Sequence, residues 1–479
     1  MRSRFVAAVS LFALLSGCGG GGDDGGSFTG STPSGTATPT PTTTAGCSLT
    51  DRQNWAAGQL REWYLFPDLL PASLSPSGYS TVQDYIDALT ATARSQRKDR
   101  YFTYLTSIAE ENAYYNSGSS AGFGVRLSYD TANRRVFVAE AFEGAPALNA
   151  GIDRGTEILA IGTSASDLRT VSTIMAASGS AGVSDALGPS TAGTARLLRV
   201  TSAAGGTRDV TIAKTDYALT PVSSRYGAQI INDGGRQVGY VNLRTFIETA
   251  DPALREAFAR FKAAGVTQVI VDVRYNGGGL IKIAELFSDL LGGARSTSEV
   301  QSYTAYRPSK SSNNSTRFYA PQTQSIAATR IAFIGTGSSA SASELVINAA
   351  IPYLHANAAL VGTNTYGKPV GQIGLDNTSC DDRLRVVALA TQNAARQGDY
   401  YDGLASKVEA SCQATDDTTY QLGDPREAST KAALDFLAGR VCSPITGDAS
   451  AQSLRTSAAR TLLSPERPNT AQREVPGLY

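Results

Sequence analysis

Apolar residues at helical spacing open the patterned part of the chain. Trp55, Leu60, Trp63 and Tyr64 fall on one face behind the capping residues Ser48 and Thr50, and Val82, Tyr85, Ile86 and Leu89 form a second stripe. They predict a small helical domain over residues 47–115, with its aromatics in the core. The period then shortens: RRVFVAEAF (134–142) and GTEILAIGT (155–163) read as strands around the short segment GAPALNAGI (144–152), giving a separate domain over 116–215. From 216 to 442 strands and helices alternate. QVGYVNLRTF (237–246) reads as a strand, and DPALREAFARFKAAG (251–265) as a helix with Leu254, Ala257, Phe258 and Phe261 on one face and Gly265 as its stop. TQVIVDVRYNGGG (267–279) is an apolar strand running into a glycine loop, followed by the helix LIKIAELFSDLLGG (280–293). TRIAFIGTGSSASASELVINAA (329–350) repeats that plan. The alternation predicts a mixed or parallel sheet with helices on its faces, hence an α/β domain within a multidomain α+β chain.

The two ends lack this patterning. Residues 19–46 are Gly, Ser, Thr and Pro with almost nothing apolar to bury, the composition of a flexible tether. The tail, 443–479, is rich in Ser, Thr, Pro and Arg without a clear period and is predicted to be disordered over most of its length.

Composition narrows the function. The 42 basic and 42 acidic residues cancel, and no basic run exceeds RKDR (97–100), so nucleic acid is not an expected partner. A single histidine, His355, argues against an imidazole-rich metal centre, and no metal or cofactor is expected. It also removes the usual base for a serine nucleophile. His355 itself reads as a helix-end residue.

Strand-to-helix loops are where α/β sheets place chemistry, because free amides at the helix N-terminus stabilise developing negative charge. The loop carrying Ser339, Ser341 and Ser343 is built of small residues that let a substrate backbone approach. Ser341 and Glu344 also stand in the spacing of a capping box, so on this evidence alone the serine could simply cap its helix.

Arg2 and Arg4 precede an apolar run from Phe5 to Leu15 and then LSGC, ending at Cys18. This resembles the lipobox of bacterial lipoproteins. The resemblance implies a signal peptide over 1–17, lipidation of Cys18, and a tether over 18–46; Gly19 after the cysteine implies an outer-membrane destination in the cell envelope. Export gives meaning to the even set Cys47, Cys380, Cys412 and Cys442. Of three possible pairings, the expected one is Cys380–Cys412, closing a polar loop, with Cys47–Cys442 stapling the ends of the folded region.

AGFGVRLSYD (121–130) and GAPALNAGIDRGTEILAIGT (144–163) resemble the carboxylate-binding loop and the helix-turn-strand of a PDZ domain. The implied carboxylate-binding residues are Gly122, Phe123, Gly124 and Val125, whose backbone would hold the end of a protein tail. VIVDVRYNGGG, SSASASELVINAA and ALVGTNTYGKPVGQ (359–372), in that order, resemble the three signature blocks of the carboxyl-terminal processing peptidases, or tail-specific proteases. That family joins a PDZ domain (here 116–215) to a crotonase-like catalytic domain (here 216–442) and uses a Ser/Lys pair. By motif position the nucleophile is Ser341, the base Lys368, the orienting partner Gln372, and the oxyanion donors the amides of Gly278 and Ala342. The expected partners are protein or peptide substrates with unstructured C-termini. The chain departs from the family in having Gly277 where proline is usual and Tyr275 where asparagine is common. A PDZ-containing envelope lipoprotein that binds or scaffolds tails without cutting them is the alternative.

Overall fold

A computed structural model describes residues 45–202, 205–446 and 460–479; the expected signal peptide, lipidation site and nearly all of the tether lie outside them. In chain order the elements that matter are α1 (Leu49–Trp63), α2 (Val82–Leu89), β1 (Val125–Asp130), β2 (Arg135–Ala141), β3 (Glu157–Gly162), α3 (Val171–Leu187), β4 (Ala195–Thr201) and β5 (Thr207–Ala213). They are followed by β6 (Ala228–Asp233), β7 (Arg236–Asn242), α4 (Ala250–Ala263), β8 (Gln268–Asp272), α5 (Ile281–Leu291), β9 (Arg330–Gly335), α6 (Ala342–Leu354) and β10 (Ala358–Gly362). Last come β11 (Val370–Asn377), β12 (Asp382–Gln392), β13 (Ala410–Gln413), α7 (Ala428–Leu437), β14 (Thr461–Leu462) and α8 (Thr470–Glu474).

The central sheet runs β6-β7-β8-β9-β10-β13 and is parallel from β7 onward. Its inner strands β8, β9 and β10 are buried on both faces, which is why they read as apolar runs rather than alternations. Val241, Val271 and Phe333 meet Leu254, Phe258 and Phe261 of α4, Phe287 of α5 and Ile347 of α6 on one face. Ile270, Ala332, Ile334 and Val361 meet Leu434 and Leu437 of α7 on the other. Because β8, β9 and β10 are adjacent and parallel, the loops leaving their C-terminal ends converge on one edge. Those loops carry Gly278, Ser341 and Lys368.

A second sheet, ordered β14-β1-β2-β3-β4-β5, packs α3 against its apolar face through Val125, Leu127, Ile158, Ile174 and Val183. The segment 47–115 is mostly helical as patterned, but Tyr104–Ser107 is a strand paired with β12, and the core of the segment is not closed on itself. Leu60, Tyr64, Ile86 and Leu89 pack with Val370, Leu384, Val386 and Val387 of β11 and β12. Among the described residues no helix is long and apolar enough to cross a membrane.

Two expectations fail here. The disulfides are Cys47–Cys380 and Cys412–Cys442, not Cys380–Cys412 and Cys47–Cys442. Arg52 of α1 donates to Asp382 at the start of β12, which brings Cys47 beside the turn containing Cys380. Cys412 lies in β13, and Gln413 N donates to Ser443 O at 2.7 Å, so the chain returning from α7 places Cys442 next to it. Peptide mapping of the oxidised protein should recover these two pairs. Replacing Cys47 and Cys380 by serine should cost on the order of 5 kcal/mol, the larger loss because that pair spans 333 residues against 30. A Cys380–Cys412 peptide would overturn the pairing.

The tail is the second correction. Residues 460–479 are packed rather than disordered: β14 pairs with β1, α8 is a capped helix, and Leu463, Val475 and Tyr479 are almost fully buried. Asn469 Oδ1 accepts from Gln472 N at 2.9 Å and Gln472 Oε1 from Asn469 N at 3.2 Å, a reciprocal cap that offsets the tail's polar composition.

Candidate active site

Ser339 and Ser341 in the loop before α6 and Ser343 in its first turn have different fates. Ser339 Oγ donates to Val273 O at 2.6 Å, and Ser343 Oγ to Asn276 O at 3.0 Å; both are wholly buried and hold the neighbouring loop. Ser341 instead lines a cavity of about 170 Å³ together with Lys368, Gln372, Ala342, Gly279, Tyr115, Arg385 and Glu474. Its backbone has φ +55° and ψ −115°, a conformation non-glycine residues rarely adopt and which costs on the order of 1–3 kcal/mol. A turn this sharp between β9 and α6 presents the side chain to the cavity.

Glu344 holds the turn. Its carboxylate, buried in α6, accepts from Ser341 N at 3.1 Å and Lys368 N at 2.7 Å on one oxygen. The other oxygen accepts from Gly367 N at 2.7 Å and Thr365 Oγ1 at 2.6 Å. One side chain therefore ties the Ser341 and Lys368 backbones together. Burial raises its pKa, and the four donors offset part of that rise. The spacing that suggests a capping box thus serves two loops at once. Gly367, at φ +90°, is required here because a Cβ would stand 2.3 Å from Tyr401 O.

Lys368 Nζ donates to Gln372 Oε1 at 2.8 Å and lies 4.9 Å from the centre of the Phe102 ring. Gln372 Nε2 in turn donates to Phe102 O, which fixes the amide so that its oxygen faces the lysine. Desolvation lowers the Lys368 pKa, and Arg473 and Arg385 add to the effect, against the nearby charges of Glu474 and Asp99. The amine is thereby moved toward the neutral form that can accept a proton.

Gly278 stands against the serine: a Cβ on it would lie 2.8 Å from Ser341 Cβ. Its amide, expected to face an oxyanion, instead donates to Asn276 Oδ1 at 2.9 Å. The preceding amide, Gly277 N, donates to Glu474 O of the tail at 2.9 Å, so the loop is held by the tail on one side and Asn276 on the other. Ala342 lines the cavity as the first residue of α6, where its N–H has no intrahelical acceptor. His355 is exposed at the far end of α6 with Glu409 2.8 Å away, outside the cavity lining. The sequence reading missed Asn276, Thr365, Tyr115 and Glu474, which come to the site only through folding.

Of the residues predicted to hold a carboxylate, Val125 opens β1 of the second sheet, Gly122 ends a short strand (Ser119–Gly122) paired with Thr215–Ala218, and Phe123 and Gly124 link the two. Gly124 N and Val125 N both donate to Tyr479 O, at 2.9 and 3.2 Å, while a Cβ at Gly122 would stand 2.9 Å from Tyr479 C. Phe123 is buried beside Val125 in the same core. Among the described residues no group of three or more histidine, cysteine or acidic side chains could hold a metal ion.

Residues 237–396, which include Gly278, Ser341, Lys368 and Gln372, match Peptidase family S41. The chain is 28% identical over 186 residues to a chloroplastic C-terminal processing peptidase of Tetradesmus obliquus, covering 36% of this chain and 38% of that protein. It is 28% identical over 280 residues to carboxyl-terminal-processing peptidase 3, chloroplastic, of Arabidopsis thaliana, covering 56% of this chain and 49% of the relative. The match thus spans less than two thirds of either relative. Among solved structures, a candidate S41 protease from Bacteroides fragilis NCTC 9343 superposes with a TM-score of 0.61 over 80% of this chain and 97% of its own, at 21% identity, which establishes the shared fold. Within a mixed α/β multidomain chain that shares the fold of a solved S41 protease, residues 237–396 are the part that matches peptidase family S41.

Proposed function

We propose that the protein is a serine endopeptidase of the bacterial cell envelope that cleaves protein tails by a Ser/Lys acyl-enzyme mechanism. One observation carries this reading. Of the four serines between residues 338 and 343, Ser341 alone lines a cavity with a desolvated lysine, and a single buried carboxylate holds both backbones. Neutral Lys368 takes the Ser341 hydroxyl proton as Oγ bonds to the substrate carbonyl carbon. The same proton then goes to the leaving amine as the C–N bond breaks. Water next attacks the acyl ester, giving its proton to Lys368, and Ser341 leaves reprotonated. The amides of Ala342 and Gly278 are assigned to the oxyanion, the latter after it turns away from Asn276; each such donor is worth roughly 3 kcal/mol.

The second sheet is assigned as a PDZ-type module, with the amides of Gly124 and Val125 receiving the end of a bound peptide that adds a strand to β1. Cys18 is assigned as the lipidated residue that ties the chain to the envelope, most simply the outer membrane.

Incubating the exported protein with an unstructured protein of defined C-terminus tests the core of the reading. The wild type should produce truncated fragments, and Ser341→Ala should leave the substrate whole while keeping the same melting temperature. Undiminished cleavage by Ser341→Ala would refute the assignment. An uncut but bound substrate in the wild type would favour the binding-lipoprotein alternative.

A further inference from the structure

We propose that residues 469–479 are a built-in ligand of the substrate path: they fill the groove along β1 and roof the Ser341–Lys368 cavity, so the site stays closed until a substrate tail displaces them. This rests on reading the cavity as a peptidase site.

The groove is occupied as an added strand would occupy it. Tyr479 N donates to Val125 O at 2.9 Å, Gly124 N and Val125 N donate back to Tyr479 O, and Leu127 N donates to Gly477 O at 2.8 Å. The Tyr479 ring is buried in the core that contains Phe123, Val183 and Leu187, with its hydroxyl 2.6 Å from Ser184 Oγ on α3. Gly477, at φ +86°, passes so close that a Cβ would meet Leu127 O and Arg126 Cγ at 2.9 Å. Arg126 Nη1 donates to Pro476 O at 2.6 Å.

The same segment then crosses the cavity. Glu474 is a wall of it, its Oε1 accepting from Tyr115 Oη at 2.9 Å and its backbone oxygen from Gly277 N. That backbone bond exists because residue 277 has an N–H to give, and no side chain would fit, since a Cβ there would lie 2.4 Å from Arg473 O. The charged groups facing Lys368 are Glu474 and Arg473 from α8, Arg385 from β12, and Asp99. A peptide substrate needs the space along this path, so tail and substrate exclude each other. The ligand class follows from the occupant: an extended peptide with glycine two positions before a tyrosine whose hydroxyl is read by Ser184.

A tethered ligand acts at an effective concentration of about 1 mM, enough to weaken binding of a free peptide of about 10 μM affinity by on the order of 100-fold. The test measures binding of a fluorescent peptide REVPGLY, the sequence of residues 473–479, to full-length Ser341→Ala protein with its tail intact or carrying Leu478→Asp and Tyr479→Ala. The altered tail should admit the peptide about 100-fold more tightly. Equal affinity would overturn the proposal. Glu474→Gln, which keeps the groove contacts, provides a second arm in the Ser341-containing protein. It should raise kcat/KM several-fold and move the acid limb of the pH profile of kcat/KM to lower pH, because in the free, tail-closed enzyme it removes a negative charge that favours the Lys368 ammonium. An unmoved profile and rate would overturn the roofing of the cavity. Peptide binding does not need catalysis, so tight binding with no hydrolysis from any variant would count against the peptidase reading and not against the occupied groove.

Discussion

Lys368→Arg should lose peptide hydrolysis by on the order of 10³–10⁴-fold while the protein stays folded, because a guanidinium remains protonated at any working pH and cannot accept the Ser341 proton. Positive charge is kept, so charge alone is excluded as the active ingredient. Burial lowers the Lys368 pKa, so the rate of the wild type should rise with pH through that lowered value and level off below the ordinary lysine range of about 10.4. Stability follows the same group. Between the lowered folded value and the ordinary unfolded one, the unfolded chain binds the proton more tightly, so folding stability climbs as pH rises through that window. The penalty is present in full below it. Lys368→Met should therefore be inactive yet at least as stable as the wild type at neutral pH. Ser341→Ala should add little to the loss in either lysine variant, since residues acting as one unit are strongly non-additive. Activity in folded Lys368→Arg within tenfold of the wild type would show that another group is the base.

The elements that the sequence reveals best are those whose burial is two-sided. The strands β8 and β9 announce themselves as unbroken apolar runs, and the glycine and serine loops after them mark the reactive edge before any coordinates are known. Other features depend on long-range placement. The Cys47–Cys380 bridge exists because α1 docks on β12 through Arg52 and Asp382, a contact between residues 330 positions apart. Spacing along the chain could not reveal it. The helices of 47–115 show their apolar stripe plainly but not its partner, which is β11 and β12. The order of the tail is hidden in the sequence for a different reason. Asn469 and Gln472 do stand at capping-box spacing, and Leu478 and Tyr479 are apolar, but Ser, Thr, Pro and Arg dominate the average over 443–479. A short capped turn followed by the buried side chains of Val475, Leu478 and Tyr479 is diluted in such an average, although it is enough to order the segment when a groove is available.

Glu344 is where local pattern and distant structure meet, and Glu344→Gln is expected to separate positioning from chemistry. The carboxylate accepts four donors, three of them backbone amides from two loops. A glutamine keeps the shape but turns one acceptor into an NH₂ group. If that group faces Thr365, whose hydroxyl can rotate to accept, it still opposes Gly367 N–H. If it faces the other way it opposes both Ser341 N–H and Lys368 N–H. A buried donor left unpaired costs about 1–3 kcal/mol, so Glu344→Gln should lose roughly that, while Glu344→Ala, with no acceptor at all, should lose about 3–5 kcal/mol. Since the serine and lysine loops would no longer share an anchor, kcat should fall on the order of 100-fold with KM little changed, as expected for a small misplacement of reacting groups. A pH measurement distinguishes this from simple loosening of the fold. Burial holds the Glu344 pKa above the ordinary carboxylate range, so on acidification it takes up a proton before exposed carboxylates do. Because the folded state then binds that proton more tightly than the unfolded one, this step favours folding, and stability is lost instead as pH rises through the folded pKa. The wild type should therefore lose activity on the acid side while still folded, and Glu344→Gln, having no such proton to gain, should lack that step. A glutamine variant with wild-type kcat and an unchanged acid limb would show that Glu344 caps α6 and does not align the pair.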